Sequence, residues 1–412
     1  MVRLYRREKY LARIRPFYHD NDIIKVITGV HRCGKSCIMQ SIADELREEG
    51  VPEDNLIYID LDARENRKVA TPDQLEELID AATKDAMGMK YLFVDEIQNV
   101  RGFEPLINGY RTDGGWSIFI TGSNSYLLSG ELVTKLTGRY LEFEVFTLDL
   151  AEYLGMKEML GKQVSPNRDE EFARYLREGG FPRAVAYDGD EEKQTYVRGI
   201  VSEIFEKDIR GRAKVRHVTA FNAVRDYLIN NFGSTTSIKN LLDHFNRVEG
   251  IPIKRETLNR YIQILVDAKI LYRCRRFDMK SRRSLQREEK YYLADLGFYF
   301  ATNTDNRINY GPALENVVYH YARTGGYDVS VGRIGKLECD FVLRKHADAY
   351  SYAQVAMTIM NDRATEDREY RPLEQIRDNY PKYVVTMDRL LQRRSGIQHV
   401  NIVDFLADGR EF

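Results

Sequence analysis

Residues 29–36 combine glycines, a lysine and a serine at a spacing that can hold the phosphates of a nucleotide. The segment Gly29-Val-His-Arg-Cys-Gly-Lys-Ser36 fits the pattern GxxxxGK[ST], follows the apolar run Ile23-Ile-Lys-Val-Ile27 and opens a stretch predicted to be helical. The glycines let backbone N–H groups turn inward, and the helix N-terminus adds partial positive charge. Lys35 would then reach the β- and γ-phosphates of ATP, and the Ser36 hydroxyl would ligate Mg²⁺.

The predicted nucleotide-binding residues form one continuous loop. They are Gly29, Val30, His31, Arg32, Cys33, Gly34, Lys35, Ser36 and Cys37. His31 and Cys33 also admit a redox or metal-binding interpretation, against the alternative that their backbones matter more than their side chains. A chance match in a glycine-containing turn is the remaining alternative, and the surrounding elements argue against it.

Two adjacent acids end a second apolar run, Tyr91-Leu-Phe-Val-Asp-Glu96. Ligands of open α/β sheets bind at the carboxyl ends of the strands, which is where both acids are predicted to lie. Asp95 would hold Mg²⁺, and Glu96 would orient and deprotonate the attacking water. An ordinary strand-to-turn boundary is the alternative, but the position some sixty residues after the phosphate loop favours ATP hydrolysis.

Two further polar groups are candidates for the same chemistry. The run Trp116-Ser-Ile-Phe-Ile-Thr121 ends in Gly122-Ser-Asn-Ser125, which makes Asn124 the predicted γ-phosphate sensor, with Ser123 or Thr121 as neighbours. A simple polar turn is the alternative. Downstream, Arg139 follows a predicted helix and a tight turn, and it is a candidate arginine finger for the nucleotide of the same or a neighbouring subunit.

The elements that position these residues alternate between strands and helices, which is typical of a parallel sheet covered on both faces. We expect an α/β core over residues 1–150. A mostly helical lid or connector is expected over 151–215, interrupted by the turn cluster Glu178-Gly-Gly-Phe-Pro-Arg183. Short helices and a basic hairpin over 216–300 predict a winged helix, and a small α/β domain is expected over 301–412.

The predicted hairpin carries an unusual concentration of positive charge. Between Pro252 and Lys290 there are twelve Lys and Arg against five Asp and Glu, whereas the whole chain has a net charge of −1. Basic residues at the tip, Lys280-Ser-Arg-Arg283, would neutralise phosphates. Four residues in or just before the predicted helix at 256–268 would face a DNA groove: Lys254, Arg255, Asn259 and Arg260. The alternatives are a solvated hairpin or a winged helix used for protein contacts.

In the C-terminal segment, Glu315 lies in a predicted helix and Asp340 lies in a predicted strand. They match the helical glutamate and the strand aspartate that together collect a metal ion and a water in the PD-(D/E)xK nucleases, which this segment resembles. Gln354 stands where the second acid is expected, and Ala356 stands where the lysine is expected. We therefore expect a restriction-endonuclease-like fold without nuclease activity, unless Lys345 or Arg363 supplies the missing cation.

In order along the chain, these motifs resemble the bacterial and archaeal AAA-type ATPases that carry a C-terminal winged-helix and nuclease-like module. The resemblance extends over nearly the whole chain, through Val94-Asp-Glu-Ile-Gln98, Thr137-Gly-Arg139, Gly179-Gly-Phe-Pro182 and Gly311-Pro-Ala-Leu-Glu-Asn316. It implies an AAA+ core that binds and hydrolyses ATP. It also implies that Arg139 is the finger.

Composition places the protein in a broad class only. The 43% hydrophobic and 30% charged residues are ordinary for a globular protein, and the four cysteines form no CxxC pair. With no signal peptide and no membrane span evident, we expect a cytoplasmic protein. The favoured function is ATP-driven remodelling or positioning of a partner, with nucleic acid as the predicted partner, and an arginine finger would be compatible with a homo-oligomer. A nucleotide-gated protein-binding switch and an ATP-dependent DNA nuclease are the alternatives.

Overall fold

The chain consists of two compact units, Met1–Phe146 and Thr147–Phe412. The computed structural model describes residues 4–122, 136, 138–205, 215, 217–281, 283–303, 308–346 and 349–412. The first unit ends close to the predicted boundary at 150. The three segments predicted to follow it, in contrast, lie within a single unit.

The described part of the first unit contains a parallel five-stranded sheet. Its strands are β1 (Ile24–Gly29), β2 (Leu56–Asp60), β3 (Lys90–Asp95), β4 (Trp116–Thr121) and β5 (Tyr140–Val145). They lie in the order β2-β3-β4-β1-β5, so the tip of β4 lies between the tips of β1 and β3. This order brings the ends of three separate strands together at one edge.

The helices of this unit are α1 (Glu8–Ile14), α2 (Lys35–Glu48), α3 (Pro72–Ala82) and α4 (Glu104–Asp113). All six residues of β1 and all six of β4 are buried, as expected for central strands of a sheet covered on both faces. Thr71 and Gln74 form a capping box that begins α3. Helix α4 and strand β5 were not predicted, and β5 carries Glu142 and Glu144 within a partly exposed edge.

The second unit begins with helices, as predicted for a connector. They are α5 (Leu150–Met159), α6 (Arg168–Glu178), α7 (Pro182–Val185) and α8 (Asp190–Glu203). The Gly179-Gly180 turn packs on Asp295, whose carboxylate accepts hydrogen bonds from the N–H groups of Gly180 and Gly297, each at 2.7 Å. A Cβ at Gly179 would lie 1.9 Å from that carboxylate, so glycine is required for this contact.

The middle of the second unit runs helix, strand, two helices and two strands. These elements are α9 (Val218–Asn230), β6 (Thr235–Thr236), α10 (Ile238–Asp243), α11 (Arg255–Asp267), β7 (Leu271–Asp278) and β8 (Arg283–Leu293). A five-residue π-helical turn, His244–Val248, extends α10. Strand β8 pairs antiparallel with both β6 and β7.

The C-terminal part continues from α12 (Gly297–Thr302) into a mixed α/β arrangement. It comprises α13 (Tyr310–Thr324), β9 (Asp328–Ile334), β10 (Leu337–His346), β11 (Ala349–Val355), α14 (Arg363–Glu374), β12 (Lys382–Thr386), β13 (Arg393–Arg394), β14 (Ile397–Asn401) and α15 (Ile402–Ala407). Strands β9, β10 and β11 form an antiparallel meander, and β12 then pairs parallel with β11.

One sheet joins these two parts. Strand β7 pairs parallel with β9, so the strand order among the described residues is β13-β14-β12-β11-β10-β9-β7-β8-β6. The predicted separation at residue 300 therefore runs through a continuous hydrogen-bonded sheet. Because the paired segments, 276–278 and 331–333, are more than fifty residues apart, local sequence patterns carry no signal for the pairing.

Among the described helices, none is both long and apolar enough to cross a lipid bilayer. All four cysteines are free thiols, of which Cys33, Cys274 and Cys339 are buried and Cys37 is exposed.

Candidate active site

The predicted phosphate loop leaves the carboxyl end of β1 and enters α2 through two glycines. Gly29 has φ +147°, and a Cβ there would lie 2.1 Å from the carbonyl oxygen of Val145, so no other residue fits where the loop passes β5. Gly34 precedes α2 with φ +104° and leaves the first N–H groups of the helix without a side-chain cap. These N–H groups have the direction that phosphate binding requires.

Lys35 is buried at the first position of α2. Its ammonium group lies 3.4 Å from the carbonyl oxygen of Gly29 and 3.9 Å from Oε1 of Glu96. The structure therefore brings together the lysine of the loop and the second acid of β3, which are 61 residues apart in sequence.

Asp95 lies at the end of β3, beside the tip of β4. Its carboxylate accepts a hydrogen bond from the Thr121 hydroxyl. Burial raises the pKa of Asp95 above its ordinary value, an effect opposed by hydrogen bonds from Ser36 and Thr121. Ser36 and Asp95, the two predicted Mg²⁺ ligands, are thus in contact, and a hydroxyl beside a carboxylate is an oxygen donor set that suits this hard cation.

Glu96 adopts a backbone conformation that is uncommon for a residue with a side chain. Its φ of +56° is left-handed, and its N–H donates to the Thr121 hydroxyl oxygen at 3.0 Å. Strained residues of this kind persist where the surroundings hold them, often at functional sites. The single hydroxyl of Thr121 therefore positions both acids.

Gln98 is a site residue that sequence reasoning missed. It is buried two residues after Glu96, and its side-chain amide donates to Oε2 of Glu96. Gln98 lies in the short helical turn Ile97–Asn99, which directly follows the left-handed backbone of Glu96. The short spacing after the acid pair is the only sequence signal that could have identified Gln98.

Arg7 is the second missed residue. Its guanidinium Nη1 donates to the carbonyl oxygens of Cys33, at 3.1 Å, and of Phe146, at 2.7 Å, and the side chain is 4% exposed. The guanidinium also lies 4.5 Å from the centre of the Tyr10 ring. Arg7, which directly precedes α1, thus holds the phosphate loop through the carbonyl of Cys33, a residue 26 positions away in sequence.

The other predicted residues are placed as follows. Cys33 is fully buried, and burial raises the pKa of its thiol, which disfavours the thiolate needed for redox chemistry. Val30 is buried, Arg32 is exposed with φ +67°, and His31 is half-buried. Asn124 and Ser123 lie outside the described residues, whereas Thr121 is at the site.

Arg139 is not brought to this site. Its carbonyl oxygen accepts from the N–H of Ile24, the first residue of β1, whereas the phosphate loop begins at the other end of that strand. Five residues of strand separate the two ends by about 16 Å. Its guanidinium Nη1 is 3.3 Å from Oδ1 of Asn108. Arg139 therefore lies at the end of β1 opposite the phosphate loop of its own chain.

The basic span in the second unit is only partly available to a ligand. Arg273 pairs with Glu289 at 3.1 Å, Arg276 with Glu338 at 2.6 Å, and Lys290 with Glu315 at 2.9 Å. Among the residues of the span whose side chains the structure describes, the exposed basic ones are Lys254, Arg255, Arg260, Arg275 and Lys280. The sequence count overstated the surface charge because it could not distinguish internal ion pairs from exposed cations.

The residues that resemble a nuclease centre also converge. Glu315 of α13 and Asp340 of β10 both approach the ammonium group of Lys290, and the side-chain oxygen of Gln354 accepts from the N–H of Asp340 at 3.3 Å. They border a pocket of about 410 Å³. Lys345, one candidate substitute for the missing lysine, instead pairs with Glu411 at 2.5 Å.

Comparison with known families agrees with the geometry of the first unit. Residues 21–154 match the model of the AAA domain family AAA_14, and residues 169–307 match a domain of unknown function, DUF8612. An uncharacterized protein of Haemophilus influenzae is 32% identical over 401 residues, which cover 97% of this chain and 98% of that protein. An uncharacterized protein of Methanocaldococcus jannaschii is 32% identical over 312 residues, covering 74% and 67% respectively.

Among solved structures, a Walker-type ATPase of Pyrococcus abyssi has a similar fold. The two superpose with a TM-score of 0.51 at 15% identity, over 72% of this chain and 95% of that one. The domain match, the near full-length relative and the converged phosphate loop and acid pair lead to one assignment. The chain belongs to the same family as the Haemophilus influenzae protein, and its residues 21–154 form an AAA domain with a P-loop.

Proposed function

We propose that the first unit binds ATP with Mg²⁺ and hydrolyses it. The observation that carries this proposal is the convergence of Lys35, Asp95, Glu96 and Thr121 at one edge of the sheet. Phosphoryl transfer to water needs positioned donors for the phosphates and a base for the water, and these residue types supply both.

Each residue has a distinct part in the proposed reaction. The loop N–H groups and Lys35 hold the phosphates, and Ser36 and Asp95 hold the cation. Bound Mg²⁺ would neutralise charge that develops on the phosphates. Glu96 orients the attacking water and accepts its proton, while Thr121 keeps the acid at the angle that this requires. Asn124 remains the proposed γ-phosphate sensor, and Arg139 is proposed to act only on the nucleotide of a neighbouring chain.

The proposal is tested by ATPase assays on three variants. Glu96→Gln removes the base but keeps the shape, so kcat should fall by about 10²- to 10⁴-fold while ATP still binds. Lys35→Ala should weaken ATP binding itself. Lys84→Ala, an exposed lysine of the same unit, is the matched control. Unchanged hydrolysis in the Glu96 variant would remove the assignment of the base.

A nucleotide-gated protein-binding switch is the second candidate. It is favoured by the contacts that engage Glu96 in this structure, one from Gln98 and one from Lys35. If these contacts restrain the base until a partner binds, Gln98→Ala should raise the basal ATPase rate several-fold. A fall in the rate would show that Gln98 positions Glu96 for catalysis and would remove this candidate.

We propose that the partner of the ATPase is nucleic acid, engaged through a winged helix at residues 217–293. The order α9-β6-α10-α11-β7-β8, with β8 paired to both β6 and β7, supports that fold. The exposed Lys254 and Arg255 begin α11, the helix that would enter a groove. ATP turnover would then remodel or position the bound nucleic acid.

We further propose that residues 308–412 have a nuclease-type fold that does not cleave. The order α13-β9-β10-β11-α14-β12 supports the fold, and the absence of a lysine at Ala356 supports the loss of activity. Plasmid incubated with the protein, ATP and Mg²⁺ or Mn²⁺ should stay intact. Cleavage lost on changing Asp340→Asn would restore the nuclease alternative.

A further inference from the structure

A buried lysine lies among three carboxylates in the second unit. The ammonium group of Lys290 is 2.9 Å from Oε2 of Glu315, 3.1 Å from Oε1 of Glu338 and 3.7 Å from Oδ1 of Asp340. The residue is 5% exposed. It comes from β8, outside the segment that resembles the nucleases, which is why the sequence pattern did not include it.

The backbone fixes the position of this lysine. Lys290 pairs with Thr235 of β6 on one side and with Cys274 of β7 on the other. Its neighbour Glu289 is held by Arg273 at 3.1 Å. Because β8 is hydrogen-bonded to a neighbouring strand on both sides at this point, the sheet fixes the backbone of Lys290 beside the carboxylates.

Arg276 adds a second cation to the cluster. Arg276 bonds to the second oxygen of Glu338 at 2.6 Å, so two cations face three acids. Burial raises the pKa of Glu315 and of Asp340 above their ordinary values, and for Asp340 the charge of Glu315 raises it further. Burial lowers the pKa of Lys290, but attraction to Asp340, Glu315 and Glu338 outweighs this and raises it overall.

The nuclease-type metal does not fit these residues. In the described part of the chain, no three His, Cys, Asp or Glu side chains form a group that could hold a metal ion. Gln354 replaces one of the expected anionic ligands, and a divalent cation among the carboxylates would lie within a few ångströms of a buried ammonium group. Repulsion at that distance in a protein interior is severe.

We infer that Lys290 is a built-in counter-ion that takes the place of a divalent cation in this carboxylate site. The site is therefore assembled without metal and joins β8, α13 and β10 through charge. The inference is independent of the proposed ATPase activity. It explains how acids typical of a nuclease centre are kept in a protein interior without the metal that would otherwise neutralise them.

The test compares the full chain with a Lys290→Met variant, without nucleotide, so that the ATPase site contributes equally to both. Removing one partner of a buried pair is costly, so the melting temperature of the second unit should fall by on the order of 10 °C. Mn²⁺ should restore part of this loss and should leave the wild-type melting temperature unchanged. Adding Asp340→Asn to the variant should abolish the Mn²⁺ effect.

Lys345→Met is the matched control, because Lys345 belongs to the same sheet and the side chain of its ion-pair partner, Glu411, is exposed. It should neither lower the melting temperature appreciably nor create a response to Mn²⁺. In these melting experiments, either of two results would overturn the inference: a response of the wild type to Mn²⁺ that Asp340→Asn removes, or a Lys290→Met protein that Mn²⁺ does not stabilise.

A charge-balanced variant covers the case in which Lys290→Met does not fold. Lys290→Met with Glu315→Gln removes one charge of each sign and should melt within a few degrees of the wild type. Failure of this pair to recover stability would show that charge pairing is not the role of Lys290. Plasmid cleavage by the wild type that is lost in Lys290→Met would instead identify Lys290 as a nuclease lysine and overturn the inference.

Discussion

At the scale of single residues, the Thr121 hydroxyl connects the proposed metal ligand with the proposed base. It donates to the Asp95 carboxylate and accepts from the N–H of Glu96. Thr121→Val keeps the shape and removes both bonds. Since a hydrogen bond to a charged group contributes about 1.5–3 kcal/mol, we expect kcat to fall by roughly 10- to 100-fold.

Steady-state ATPase kinetics would measure this effect. Thr112→Val, in which the hydroxyl lost is an exposed one bonded to the carbonyl of Asn108, is the control. Equal rates in the two variants would contradict the role assigned to Thr121.

The buried Asp95 predicts an unusual dependence of Mg²⁺ binding on pH. Burial raises its pKa, so the ionised form that binds Mg²⁺ is present above the raised pKa and is lost as pH falls through it. The Mg²⁺ concentration for half-maximal ATPase activity should therefore begin to rise at a higher pH than an aspartate of ordinary pKa, about 3.9, would give.

Mg²⁺ titrations at a series of pH values would measure this dependence. Thr121→Val loses a hydrogen bond that lowers the pKa of Asp95, so its dependence should shift to still higher pH. A Mg²⁺ requirement that stays constant from neutral to acidic pH would contradict the prediction.

At the scale of elements, the segment before α1 supports the phosphate loop through Arg7. Arg7→Met would leave the carbonyls of Cys33 and Phe146 without this donor, and we expect the dissociation constant for ATP to rise about tenfold or more. Arg7→Lys keeps a cationic donor and should recover part of the affinity.

Arg6→Met is the matched control, because the neighbouring Arg6 is exposed and pairs with Glu48. Fluorescent-nucleotide titrations would compare the variants. Equal weakening by Arg6→Met and Arg7→Met would show a general effect of the segment and not a specific brace on the loop.

The elements also show how far sequence reasoning extends. The strand, loop and helix around Lys35 were predictable because their signals are local: apolar runs, glycine spacing and one acid pair. Arg7, Gln98 and Lys290 were not, because each acts through a contact set by a turn or by strands far apart in sequence. The same reason explains why β5, with its alternating glutamates, was missed.

At the scale of the whole molecule, a chain with a net charge of −1 contains a strongly basic span between Pro252 and Lys290. If the exposed Lys254 and Arg255 contact DNA phosphates, changing both to alanine should lower the slope of log affinity against log salt by about 2. Anisotropy measurements with duplex DNA across a salt series would determine the slope.

Arg344→Ala is the control for this measurement, because Arg344 pairs with Asp328 on β9 and lies outside the basic span. A slope that is the same in the wild type and in the double variant would exclude these two side chains as phosphate contacts and favour a protein partner.

The sheet of the second unit has a consequence for how this protein can be divided. Strand β7 has β8 on one side and β9 on the other, and β9 begins at Asp328. A fragment that ended near residue 303 would lack β9, so backbone N–H and C=O groups of β7 would be exposed without a partner strand. Exposed strand edges pair with other chains, so we expect a fragment truncated there to aggregate and not to behave as an independent DNA-binding module.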